Sequence, residues 1–204
     1  PMKAFDYLRR YSLFVLLALV TLVTACDDDD APEPVNDPEV ITDVKLIFTN
    51  VADAMDVVEA SAQDPDGEGV EELRILGPIN LGVGKTYTLT YEIFNNLETP
   101  GEDIGEEIAE EDDEHQFFYS FTEGAFTNPT GNGNVDRASD PINYVDFDGN
   151  SNPLGLETTW TTSATAVTGE FTARLQHQPG EKTATSGADV GESDFDLTFV
   201  LNIQ

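Results

Sequence analysis

From Val40 to Ile203 the apolar residues of this 204-residue chain recur mainly at every second position. Period two is what a strand with one buried face requires, because successive side chains point to opposite sides of a sheet. Residues 85–95 place Tyr87, Leu89, Tyr91 and Ile93 on one face, and residues 115–122 do the same with His115, Phe117, Tyr119 and Phe121. Leu156, Thr158, Trp160 and Thr162 share a parity, as do Phe171, Ala173, Leu175 and His177. A further strand is expected over 40–48, and a last one carries Phe195, Leu197, Phe199, Leu201 and Ile203. With weaker candidates at 55–62 and 70–76, about eight strands separated by Gly, Pro, Asn and Asp turns predict an all-β fold. The expected architecture is a single β-sandwich of Ig-like, Greek-key type spanning residues 39–204. Twelve Phe and six Tyr are enough to build its core.

One stretch competes as a helix: Ile104 and Ile108 stand four apart. Residues 98–114, however, hold ten acids and no base. Like-charge pairs at helical spacing cost a few tenths of a kcal/mol each, so a short, frayed helix at most is expected. Residues 123–153 form a second irregular segment, and connections this long are usually functional or disordered.

The N-terminal segment has a different character. Lys3, Arg9 and Arg10 precede the apolar run from Tyr11 to Ala25. A spanning helix needs about 20 apolar residues, so residues 1–25 read as a cleaved leader. It ends Val23-Thr24-Ala25-Cys26, which resembles a bacterial lipobox, and Cys26 is the chain's single cysteine. A lipid anchor on Cys26 is therefore expected, its several acyl chains supplying the attachment that one chain gives only marginally. Residues 26–38 then form a stalk: the acidic run Asp27–Asp30, followed by Pro32, Pro34 and Pro38, which favour extended geometry. The acidic run is either a surface-export signal of the Bacteroidota type or a solvated spacer.

Charge excludes whole classes of partner. The chain carries 40 acids against 9 bases, a net charge of −31. Removal of three bases and one acid with the leader takes this to −33. Such a surface repels phosphate, so no nucleic-acid partner and no docking on anionic lipid are expected.

Three constellations carry candidate chemistry. His115 opens one strand and His177 closes another. If these two strands pair antiparallel, both imidazoles lie at one rim of the sandwich and face the same side. Imidazole is the commonest transition-metal ligand, and Glu110, Glu111, Asp112, Asp113 and Glu114 stand upstream to supply carboxylate oxygens. Two histidines also suit haem, although no C-x-x-C-H attachment is present. The alternative is a pair of ordinary strand-end histidines. Second, Asp64-Pro65-Asp66-Gly67-Glu68 and Asp146-Phe147-Asp148-Gly149-Asn150 are D-x-D-G turns whose oxygens suit calcium, but neither completes an EF-hand loop. Asp-Gly is equally common in turns that bind nothing. Third, catalytic motifs are missing: there is no G-x-S-x-G, no H-E-x-x-H and no phosphate-binding Gly loop. A non-enzymatic protein is expected, with Phe117, Tyr119 and Trp160 read as core.

The segments DEHQFFYSF (Asp113 to Phe121) and RLQHQPG (Arg174 to Gly180), with the strand ending Ile203-Gln204, resemble a group of small flavobacterial outer-membrane lipoproteins. Proteins of that group often bear the description "type 1 periplasmic-binding fold superfamily". That fold needs alternating βα units over a chain nearly twice this long, whereas the period-two strands predict a β-sandwich. The resemblance covers most of residues 22–204. It implies a lipid-anchored, surface-exposed outer-membrane protein, the periplasmic face remaining open, that serves a TonB-dependent receptor in nutrient uptake. The expected function is then capture of a metal, haem or small nutrient, with His115 and His177 as ligands and Glu114 and Asp113 in support. The alternative is a structural or adhesive surface domain with at most calcium-stabilised loops.

Overall fold

The computed structural model describes residues 39–67, 72–97 and 99–204. The expected leader, Cys26 and the stalk lie outside the described residues, as does Glu68. The described residues belong to one compact unit, and no helix among them is long and apolar enough to cross a membrane.

Among the described residues, eleven strands and one helix follow in chain order: β1 (Asp43–Asn50), β2 (Val57–Gln63), β3 (Arg74–Ile75), β4 (Ile79–Leu81), β5 (Thr86–Asn95), β6 (Glu102–Asp103), α1 (Ile104–Glu110), β7 (His115–Phe121), β8 (Phe126–Asn128), β9 (Thr158–Thr162), β10 (Val167–His177) and β11 (Glu192–Ile203). One sheet has the order β3-β2-β1-β5-β9-β8, with β6 paired to β5, and the other the order β4-β11-β10-β7. Together they form an all-β sandwich. All ladders are antiparallel except the short one between β4 and β11, where Leu201 lies opposite Ile79 and Ile203 opposite Leu81.

The alternation in the sequence is the alternation in burial. In β11, Phe195, Leu197, Phe199, Leu201 and Ile203 are buried while Asp196, Thr198 and Val200 are exposed. The inner faces meet at Trp160 of β9, which is wholly buried. Its ring lies 5.1 Å from Phe171, 5.2 Å from Tyr119 and 5.4 Å from Phe121, centroid to centroid and nearly edge-to-face. Such pairs contribute about 0.5–1.5 kcal/mol each beyond area burial, so this cluster is a main tie between the sheets. The expected acidic helix is α1, seven residues long. Asp103 caps its N-terminus, and Ile104 and Ile108 are buried, which holds in place a helix too charged to form alone.

The irregular segment after β8 has a structural task. β7 is the last strand of its sheet, and residues 132–154 cover its open edge. Asn132 O accepts from Phe121 N–H at 2.9 Å, Leu154 O from Phe117 N–H at 2.7 Å, and Asn134 Oδ1 from Tyr119 N–H at 2.9 Å. Tyr144 OH donates to Phe117 O at 2.6 Å. Gly133 makes the approach feasible: its φ is +96°, and a Cβ there would lie 2.1 Å from Tyr119 O. The strand edge, a template for unwanted pairing, is thus covered.

Candidate metal centre

β7 and β10 pair antiparallel with His115 directly opposite His177. The two imidazoles stack, with centroids 4.5 Å apart and planes 4° from parallel. Both residues are buried. The turn that delivers His115 begins where α1 ends. Glu111 O accepts from Glu114 N–H at 2.9 Å and from His115 N–H at 3.3 Å, while Gln178 N–H closes onto Glu114 O at 2.6 Å.

Hydrogen-bond partners assign the tautomers. His115 Nδ1 lies 3.3 Å from Glu111 O, and a carbonyl only accepts, so Nδ1 carries the proton and Nε2 a lone pair. His177 Nε2 lies 3.3 Å from Glu114 Oε2, so the proton sits there and Nδ1 keeps its lone pair. Both His115 Nε2 and His177 Nδ1 are buried and have no hydrogen-bond partner among the described residues. Each such buried, unsatisfied polar atom costs about 1–3 kcal/mol. A ligand atom from each of Glu111, His115 and His177 lies within 4.8 Å of the others. The carboxylate of Glu114 behind His177 reproduces the carboxylate–histidine pairing that orients metal-bound imidazoles.

A neutral His115 suits this role. Burial, then the neighbouring His177, pushes His115 down to about 4. Acidic groups crowd the rim: burial, then Glu111, raises Glu39, and burial, then Glu102, raises Glu107 to about 6. Asp194 of β11 stands on the far side, its Oδ2 3.9 Å from His115 Nε2. Burial raises it to about 6. A buried ammonium braces the turn from below. Lys182 Nζ donates to Asp112 O at 2.5 Å and His115 O at 2.7 Å, and lies 3.7 Å from Asp148 Oδ2.

Of the residues singled out from sequence, His115, His177 and Glu114 come together. Asp113 is exposed and is not in the convergent group; Glu111, at the helix end, takes the place next to the rings. Parallel rings at 4.5 Å leave no space for a macrocycle between them, so a haem held between the two imidazoles does not fit. Three of the D-x-D-G carboxylates, Asp64, Asp146 and Asp148, accept main-chain hydrogen bonds. Asp64 Oδ1 accepts from Asp66 and Gly67 N–H, both at 3.1 Å. Asp148 Oδ1 accepts from Asn150 and Asn152 N–H, both at 2.8 Å. Asp146 takes Gly155 and Glu157 N–H at 2.9 and 3.1 Å, and Asn150 is exposed. Comparison with protein families, with curated proteins and with solved structures returns no match.

Proposed function

We propose that this chain is a non-enzymatic, lipid-anchored outer-membrane binding module that captures a divalent transition-metal ion at His115 and His177 for a TonB-dependent uptake system. One observation supports the reading above the others: two stacked, buried imidazoles each keep an unpartnered ring nitrogen, and a carboxylate oxygen of Glu111 lies within 4.8 Å of a ring nitrogen of each. A pair kept only for packing would do better as two phenylalanines, which carry no polar atom to leave unsatisfied. The lipobox-like segment ending at Cys26 and the resemblance to flavobacterial lipoproteins support the anchor and the uptake role.

The test is a thermal melt of EDTA-stripped protein with zinc, copper(II), cobalt, calcium or haemin added singly. An ion that binds only the folded state stabilises it by about 2.7 kcal/mol at a hundredfold excess over Kd. For a domain of this size that is roughly 5–11 °C. The expected shift comes with zinc, copper(II) or cobalt and disappears in H115Q/H177N. A shift with calcium alone, or none, assigns the chain to the structural or adhesive reading instead.

A further inference from the structure

We propose that Asp194 is a carboxylate ligand of this centre, supplied from a third strand and facing His115. The inference rests on the reading of His115 and His177 as metal ligands. Its first support is the ladder between β10 and β11. Leu175 pairs with Phe195 and the next residue, Gln176, pairs with Ser193, so Asp194 has no opposite number. It is the extra residue of a β-bulge, a device that re-aims a side chain and is frequent beside functional sites. Regular alternation would turn Asp194 outward with Asp196; instead its side chain is wholly inaccessible. Gly191 prepares the bend, with φ +74° and so close to β10 that a Cβ would lie 1.9 Å from His177 O.

The second support is chemical. Asp194 Oδ1 accepts from Glu39 N–H at 3.3 Å, but Oδ2 is buried without a partner among the described residues. It faces His115 Nε2 at 3.9 Å, itself unpartnered and bearing a lone pair. Two buried acceptors face one another, and a cation bridging them would satisfy both. Metal–nitrogen and metal–oxygen distances near 2.0–2.2 Å let one ion touch both atoms, and closing their separation by about 0.5 Å makes the angle tetrahedral. A nitrogen and carboxylate set favours zinc, cobalt(II), nickel(II) or copper(II), and disfavours copper(I).

Full-length wild type, Asp194→Asn and His177→Asn are titrated with cobalt(II) by visible absorbance, with zinc as competitor, and melted without metal. The expected D194N binds cobalt at least about tenfold more weakly, with altered d–d bands at saturation. Metal-free D194N should melt at or above wild type, because the amide N–H that the substitution introduces would satisfy His115 Nε2. Wild-type affinity and spectrum in D194N, or a metal-free variant that melts below wild type, would overturn the assignment. If wild type takes up neither metal, or H177N binds as wild type does, the fault lies in the imidazole-pair reading itself.

Discussion

Replacing Asp194 by Asn in metal-free protein has a pH signature that the structure sets in advance. The Asp194 carboxyl stands at about 6 in place of 3.8, burial being the main cause. At about 1.4 kcal/mol per pH unit, keeping it ionised costs the fold about 3 kcal/mol at neutral pH. The sign follows from which state binds the proton first. A folded-state value above the unfolded one means that stability rises as pH falls through 6, the gain being complete below 3.8. The amide of D194N would neither carry the charge nor titrate, and its carbonyl would keep the bond from Glu39 N–H. D194N should therefore exceed wild type by about 2–3 kcal/mol at pH 7.5, or about 5–10 °C, with the advantage fading towards pH 4. His115 acts in the opposite sense. Held at about 4 in place of 6.5, it contributes stability that is present above 6.5 and is lost as pH falls towards 4. Both proteins carry His115, so this loss largely cancels in the difference between them, as do the remaining carboxylates. Urea unfolding in EDTA, followed through the single tryptophan, Trp160, from pH 4 to 8 gives that difference directly. A difference that does not change with pH, or a D194N less stable at pH 7.5, would refute the electrostatics.

Lys182→Met removes a buried ammonium from Asp112 O, His115 O and Asp148, and should cost about 3 kcal/mol by chemical unfolding, with D148N/K182M losing less than the sum of the single changes. A loss under about 1 kcal/mol would show that the ammonium is not what braces the turn. Gly133→Ala puts a Cβ against Tyr119 O at a positive φ, and should destabilise by about 2 kcal/mol or more while speeding hydrogen exchange at Tyr119 N–H. Unchanged melting would mean that the edge cover adapts at no cost. A chain with net charge −31 repels itself, so the melting temperature should rise between low salt and about 1 M NaCl; equal melting would count against that.

What could be read from the sequence was what side-chain periodicity encodes. The inner faces of β1, β5, β7, β10 and β11 follow from alternation, and the meeting of His115 with His177 follows from parity once β7 and β10 pair antiparallel. Backbone-level events left no such trace. β4 spans three residues, too few to show a period, and its parallel pairing with β11 has no local signature. The cover over β7 is made by main-chain groups of Asn132 and Leu154 and by a glycine. Asp194 carries the same parity as the exposed Asp196, and the bulge that turns it inward is a property of two strands at once. Glu111 was one of five adjacent acids, and only the end of α1 singles it out over Asp113. Lys182 is a lone lysine in a loop, with nothing to announce its burial.

The parallel pairing of β4 with β11 also decides when this molecule can come into being. β11 is the last strand in chain order, yet it lies inside its sheet, between β4 and β10, and contributes Phe195, Leu197, Phe199, Leu201 and Ile203 to the shared core. A chain emerging from its N-terminal end therefore offers ten strands with the middle of one layer missing, and β4 has no neighbour to join. The second sheet is completed only with residues 192–203, in part through contacts distant in sequence, which is a slow route. Until then β4 and β10 have no strand between them.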